Sequence, residues 1–309
     1  MTGLPDTSSS RGVAVVIGLG SMGMGMALSL KKAGFDVLGA DVSADAVARF
    51  VQAGGRAISK LAEDVKQADV VVSVVVNAAQ TEGVLFGADG IADSMKPGSG
   101  FISSATMDPA IARKLAAQLE AKGVHYLDAP ISGGAARAAK GELTVMASGS
   151  PAAFAAARAA LDAMATKVYE LGDAAGQGAA FKMINQLLAG VHIAAACEAI
   201  TFAAKQGLDL DKVYEVITAS AGNSWMFENR IPHVLAGDYT PLSAIEIFVK
   251  DLGIIQDMAL SERYPVPLSA AALQMYLAAS GAGMGRDDDS SLARIYAQLS
   301  GAKLPERAE

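Results

Sequence analysis

Through the first half of the chain, short apolar runs rich in β-branched residues alternate with helix-forming stretches closed by glycine. The first run, 11–17, holds Val13-Ala14-Val15-Val16-Ile17 and suits a central parallel strand, which is buried on both faces. Residues 24–33 are helix-forming and stop at Gly34, a natural C-cap. Residues 35–40 predict a second strand ending at Asp41, and Ser43 caps a helix over 44–52 that closes on Gly54-Gly55. Residues 70–76 are the clearest strand in the chain, with further strands at 101–104 and 125–127. Between those two, Asp108 caps a helix that Pro109 opens and that runs to Glu120. Residues 143–147 and 168–171 read as added strands around a helix that starts at Pro151.

After Gly172 the pattern changes. Residues 178–206 support one long helix, followed by helical segments near 209–218, 243–261, 267–280 and 288–298, with no convincing strand. The stretch 223–230 falls between helices, where Trp225, Met226 and Phe227 read as core anchors. The expected class is therefore α/β: a Rossmann-type, doubly wound, mostly parallel sheet over 12–173 and an all-helical domain over 174–309. A polar tail, 1–11, precedes them, and the long helix joins the two domains. At about 1.5 Å per residue it spans about 43 Å. Helices of that length commonly run through interdomain or intersubunit cores, which points to a homodimer or homotetramer.

Composition narrows the function. A chain of 309 residues with 52% hydrophobic and 18% charged residues has ample material for two cores and excludes wholesale disorder. Lys and Arg number 25 against 32 Asp and Glu; the net charge of −7 argues against a nucleic-acid partner. One cysteine, Cys197, allows no internal disulfide, and His125, His192 and His233 are too scattered for a metal site. Cys197 reads as a small core residue and His192 as a packed histidine. No basic segment leads into an apolar signal, and the apolar stretch 187–204 is broken by His192 and Glu198. The expectation is a cytoplasmic protein with no membrane partner.

Gly18-Leu19-Gly20-Ser21-Met22-Gly23 directly follows the first strand and opens a helix. This is the context in which G-x-G-x-x-G binds a dinucleotide. Gly18 allows the tight turn, Gly20 leaves room for a pyrophosphate, and Gly23 permits close helix–sheet packing. Asp41 stands about 20 residues further on, at the end of the second strand, where a carboxylate accepts from ribose hydroxyls and repels a 2′-phosphate. No arginine follows it in Val42-Ser43-Ala44, so NAD is favoured over NADP. A glycine-rich turn serving another ligand, and a capping role for Asp41, are the bland alternatives. Val76 closes a further strand beside the cofactor position. Thr106 either contacts the nicotinamide ribose or simply begins the helix at Asp108-Pro109.

Two other stretches carry reactive groups. In Asp128-Ala129-Pro130-Ile131-Ser132-Gly133-Gly134, Ser132 with Gly133 and Gly134 makes a small receptor for a carboxylate; the alternative is a capped turn. Lys182 and Asn185 lie one turn apart on the long helix, bracketed by Gly176, Gly178, Ala179 and Ala180. A cation early in a helix is disfavoured by the helix dipole. With partial burial and a nicotinamide ring nearby, the amine is expected to be poised for proton exchange. A solvent-facing lysine is the other reading. Lys250, in Lys-Asp-Leu-Gly, either pairs with Glu246 on its own helix or reaches the cofactor edge.

In order and spacing, these four signatures resemble the β-hydroxyacid dehydrogenase family over nearly all of residues 12–300. The resemblance implies that Gly18–Gly23 hold NAD, that Ser132, Gly133, Gly134 and Asn185 bind substrate, that Lys182 is the catalytic acid and base, and that Lys250 contacts the cofactor. The stretches 223–230 and 237–250 further imply NAD-dependent oxidation of the C2 hydroxyl of L-threonate to 2-dehydro-L-erythronate. Asn223, Ser224 and Asn229 are candidates for its C3 and C4 hydroxyls. Oxidation of 3-hydroxyisobutyrate, or reduction of tartronate semialdehyde, is the alternative chemistry. A non-catalytic NAD-binding module would need the glycine loop without a working Lys182 centre, whereas both are present.

Overall fold

The computed structural model describes residues 11–307. The expected tail, 1–11, lies outside the described residues except for Arg11, whose N–H donates to the Gly34 carbonyl at 3.1 Å. The chain packs as two units divided after Lys182, inside the long helix, rather than at 173/174.

In the first unit, strands β1 (Val13–Ile17), β2 (Asp36–Ala40), β3 (Arg56–Ala57), β4 (Val70–Ser73), β5 (Gly100–Ser103) and β6 (His125–Asp128) form one sheet in the order β3-β2-β1-β4-β5-β6. Every pairing is parallel. The connections carry α1 (Gly23–Lys32), α2 (Ala44–Gln52), α3 (Leu61–Asp64), α4 (Ala78–Phe86) and α5 (Pro109–Glu120). Successive strand residues point to opposite faces, and both faces are apolar. Ala14, Val16, Val72, Ile102 and Leu127 join a core with Met26 and Leu30 of α1. Val15, Ile17, Val71, Phe101 and Tyr126 join another with Leu115 and Leu119 of α5. Double coverage is why these strands read as unbroken apolar runs. Strand order reverses between β1 and β4, which sets the ligand crevice beyond their carboxyl ends.

The chain continues through β7 (Ile131–Ser132), α6 (Gly134–Lys140), β8 (Leu143–Ala147), α7 (Pro151–Met164) and β9 (Ala165–Glu170). The three strands make a second sheet, with β7 antiparallel and β9 parallel to β8, instead of extending the large one. The run predicted over 70–76 is cut short. After Ser73 the chain leaves the sheet, and Val74, Val75 and Val76 form the lip of the crevice.

The second unit is helical throughout its described residues. The long helix α8 (Gln177–Lys205) is followed by α9 (Leu210–Thr218), α10 (Trp225–Ala236), α11 (Ile245–Ser261), α12 (Pro267–Ala279) and α13 (Leu292–Ser300). Helix α10 replaces the connection expected at 223–230. Ser224 caps it by accepting from the Phe227 N–H at 3.0 Å. Pro232 sits inside it and cannot donate to the Glu228 carbonyl. The Tyr214 hydroxyl donates to that carbonyl instead, at 3.1 Å. Met226 and Phe227 are buried as expected, but Trp225 is 54% exposed and anchors no core. Helix α13 starts later than the predicted 288, because Asp288 accepts from the Ser290 N–H and holds Asp289–Ser291 in a 3-10 turn. Cys197 is fully buried among Ile193, Ile200 and Tyr276, and burial raises its thiol pKa.

Candidate active site

The crevice is assembled from residues that leave the carboxyl ends of β1, β2, β4, β5 and β6. Gly18 has φ +95°, and a Cβ there would stand 2.7 Å from the Val74 carbonyl oxygen. A Cβ on Gly23 would sit 1.8 Å from the Gly18 oxygen. The fold itself demands both glycines. Gly20 is different: nothing lies within 4 Å of the Cβ it lacks. No internal contact uses that absence, so the open space in front of Gly20 is left for a ligand backbone to approach. Helices α2, α4 and α5 are capped by Ser43, Asn77 and Asp108, but no side chain caps α1. An uncapped helix start behind an open glycine fits a dinucleotide pyrophosphate.

Leu19 enters this loop in an unexpected way. Its side chain is buried in the core, and its N–H donates to Asp41 Oδ2 at 2.6 Å. The Ser43 N–H donates to Oδ1 at 2.8 Å. Two backbone amides therefore pin the Asp41 carboxylate beside the loop, and each oxygen retains acceptor capacity for a ribose hydroxyl. Ser21 is exposed and Met22 half-buried on the same turn. Val76 is 47% exposed at the lip, with its N–H donating to Gln80 Oε1 at 2.8 Å. Thr106 lies half-buried in the β5–α5 connection, and helix initiation there falls to Asp108, which accepts from the Ala110 N–H at 2.6 Å.

The motif that begins at Asp128 meets the start of α8 at two points. Asp128 Oδ2 accepts the N–H groups of Gly176 and Ala179, each at 2.9 Å, and the Ser148 hydroxyl at 3.2 Å. Burial raises the pKa of this carboxyl, and the amides of Ala179 and Gly176 oppose that rise. The second point is Lys182, 8% exposed, whose Nζ donates to the Ile131 carbonyl at 2.8 Å. Gly178 has to be small here, since a Cβ would stand 2.3 Å from the Met146 oxygen. Ser132 follows Ile131 on β7, in register with Thr144. It caps no helix: Gly133 is the N-cap of α6, without a side-chain cap bond. Gly134 has φ +75° and nothing within 4 Å of an added Cβ, a second patch of backbone facing open space.

Lys182, Ile131 and Ser132–Gly134 are thus brought together. Asp128 is the residue that sequence reasoning missed as a builder of the site. Its signal was an acidic residue closing an apolar strand, where burial without partners is costly.

In the second unit, Asn185 lies one turn beyond Lys182 along α8 and donates from Nδ2 to Gln186 Oε1 at 2.9 Å. Lys250 pairs with Asp251, and Glu246 accepts from the Ser280 hydroxyl. The stretch 223–230 gives a different result. Asn223 Nδ2 donates to Glu228 Oε1 and, at 3.2 Å, to the Thr218 carbonyl; Ser224 caps α10; and Asn229 accepts from Arg230. Each of these residues therefore has a local partner, while the Asn223 Oδ1 is buried without one.

The family model for the NAD-binding domain of 6-phosphogluconate dehydrogenase matches residues 13–172. A second model, described as NAD-binding of NADP-dependent 3-hydroxyisobutyrate dehydrogenase, matches residues 176–296. L-Threonate dehydrogenase of Cupriavidus necator is 54% identical, over 95% of this chain and 98% of its own length. Human mitochondrial 3-hydroxyisobutyrate dehydrogenase is 34% identical, over 89% of this chain and 84% of its own. A crystal structure from Salmonella typhimurium, titled 3-hydroxyisobutyrate dehydrogenase, superposes with a TM-score of 0.88 at 51% identity, covering 92% of this chain and all of that one. The chain belongs to the β-hydroxyacid dehydrogenases and is an NAD-dependent oxidoreductase of that family.

Proposed function

We propose that this chain oxidises the C2 hydroxyl of L-threonate to 2-dehydro-L-erythronate. The 54% identity to a full-length L-threonate dehydrogenase, against 34% to a 3-hydroxyisobutyrate dehydrogenase, supports the four-carbon acid. The observation that carries the chemistry is the 2.8 Å hydrogen bond from Lys182 Nζ to the Ile131 carbonyl. It stations an amine one residue from Ser132 and the open backbone of Gly133-Gly134. Those groups hold the substrate carboxylate, which leaves the adjacent hydroxyl for Lys182. Bound NAD supplies the hydride acceptor. Lys182 takes the hydroxyl proton as general base and returns it as general acid in the reverse direction, while Asn185 orients the hydroxyl. Asp41 accepts the adenosine ribose, and Lys250 contacts the cofactor. The partners in this reading are the acid and NAD, without nucleic acid or membrane, in the cytoplasm.

The test is NADH formation on L-threonate, D-threonate, D-erythronate, D-glycerate and 3-hydroxyisobutyrate. The expected result is the highest kcat/KM on L-threonate. A preference for 3-hydroxyisobutyrate, or for reducing tartronate semialdehyde, would replace the substrate assignment. NADH formation on none of them would favour a non-catalytic NAD-binding role.

The same reading includes a homodimer. Only 44% of the most apolar window of α8 is buried. Ile184, Leu188 and Phe202 are exposed on it, as are Ala195 and Ala199, at spacings of three, four and seven that place them on one face. A two-fold axis between Val191 and His192 sets Ile184 against Ala199 of a second copy and Leu188 against its Ala195. Large residues meet small ones both ways, as an isologous contact requires. Sedimentation should show a dimer, or a tetramer if a second face also pairs. Ile184→Glu with Leu188→Glu should dissociate it, and a monomeric parent protein would refute the assignment.

A further inference from the structure

Asp251 is 1% exposed on α11, in the second unit. A buried carboxylate needs donors, and both of its oxygens have one. Oδ2 accepts from Gln186 Nε2 at 2.6 Å, while Oδ1 accepts from the Lys250 ammonium. Gln186 in turn accepts on Oε1 from Asn185 Nδ2 at 2.9 Å. An ionised carboxylate cannot donate, so Gln186 must turn its amide N–H to Asp251 and its carbonyl to Asn185. Asn185 then spends one N–H on Gln186 and keeps its other N–H and its carbonyl for a ligand. A single charge fixes the direction of the whole chain of amides.

We propose that Asp251 is a positioning residue shared by the two halves of the reaction. Through Gln186 it fixes which edge of Asn185 meets the substrate, and through its ion pair it fixes the Lys250 amine that meets the cofactor. The inference rests on the assignments of Asn185 and Lys250 in the proposed function. It adds a prediction they do not make, since perturbing Asp251 should disturb both ligands and perturbing Gln186 only one.

Steady-state kinetics on the full-length protein separate the cases. Asn185→Ala and Lys250→Ala are the references, expected to raise KM for the acid and for NAD respectively. Gln186→Met keeps the length of the side chain but cannot hydrogen-bond. It should raise the acid KM by about three- to tenfold, the range of one neutral hydrogen bond, with the NAD KM unchanged. Asp251→Asn should raise both. Adding Gln186→Met to Asn185→Ala should add little, because the two act through one contact. If Asn185→Ala raises the acid KM while Gln186→Met leaves it at the parent value, the positioning role of Asp251 toward Asn185 is wrong. If Gln186→Met raises both constants equally, or adds fully to Asn185→Ala, its role is general packing and the proposal is overturned. If neither reference variant changes its KM, the assignments of Asn185 and Lys250 fail and the proposal fails with them.

Discussion

The glycine loop at Gly18–Gly23 and the polar stretch 223–230 carry equally suggestive residues, yet the structure uses them in opposite ways. In the loop the fold needs Gly18 and Gly23 for its own close approaches, but Gly20 faces open space. In 223–230 the polar side chains of Asn223, Ser224, Glu228, Asn229 and Arg230 all have partners within the helical unit. A binding residue is recognisable as chemistry that the fold does not require. Two buried cations mark the two regions: Lys182 donates to the Ile131 carbonyl beside Ser132, and Arg230 pairs with Asp289 inside the helical unit.

The largest effect should come from Lys182. Replacing it with alanine is expected to lower turnover by roughly 10²–10⁴-fold, with NAD affinity largely kept. Arginine should rescue little, since a guanidinium does not release its proton at accessible pH. The rate of threonate oxidation should rise with pH as one group deprotonates, and that limb should vanish in the alanine variant. A Lys182→Ala enzyme with parent turnover and an unchanged pH limb would move Lys182 to the structural side of the comparison.

Arg230 should behave the other way, costing stability first. Its Nε donates to Asp289 Oδ1 at 2.5 Å, and Asp289 is fully buried. Arg230→Met leaves that carboxyl without a counter-charge, which should cost about 3–5 kcal/mol of stability. Burial pushes Asp289 up to about 7, against the pull of Arg230. A pKa raised in the folded state favours folding at low pH, and that contribution is lost as pH climbs through the folded value. Without the guanidinium the folded value rises further. Thermal melts should therefore show a smaller Arg230→Met penalty at pH 5 than at pH 8; an equal penalty at both would show that Asp289 keeps one protonation state over that range.

How much of this was legible in the sequence follows the same division. The parallel sheet was readable because both of its faces are apolar, so Val13–Ile17 and 70–76 stand out without any knowledge of neighbours. The edge strand β9 was partly missed, since Thr166, Lys167, Tyr169 and Glu170 are exposed and break the apolar signal. Helix α10 was hidden by Pro232 and its polar cluster, whose compensation by Tyr214 comes from another helix. At the site, the glycines, Lys182 and the Asp128 motif were visible because local spacing marks them. The amides of Gly176 and Ala179 that hold Asp128, and the Gln186 amide that holds Asp251, were not, because these bonds join residues 48 to 65 positions apart. For Lys250, spacing offered Glu246 or the cofactor edge and the family resemblance favoured the cofactor; its ion pair with Asp251, next to it in the chain, was offered by neither.

Asp41 tests whether surplus chemistry at the loop sets cofactor choice. A charged hydrogen bond from ribose to carboxylate contributes roughly 1.5–3 kcal/mol, so at least tenfold preference for NAD over NADP is expected. Asp41→Ser with Val42→Arg should raise NADP use, and equal use of both cofactors by the parent would refute the assignment. Gly20→Ala should lower NAD affinity with the melting temperature unchanged, while Gly23→Ala should lower the melting temperature itself.

The smallest effect is the most direct probe of the stretch 223–230. Ser224 accepts from the Phe227 N–H at 3.0 Å and so satisfies one of the four N–H groups that a helix start leaves unpaired. Ser224→Ala removes that acceptor and should cost about 1 kcal/mol of stability. Ser224→Asp should restore most of it, because a carboxylate also caps. If capping is the whole role of Ser224, KM for L-threonate should be the same in the parent, alanine and aspartate proteins. A contact with the C3 or C4 hydroxyl predicts a different order. Alanine would then raise KM through a lost hydrogen bond, and aspartate would raise it further by setting a negative charge near an acid substrate. Melting temperature and KM measured on the same three proteins separate the two outcomes, since capping groups alanine apart from the other two and substrate contact groups the two variants apart from serine.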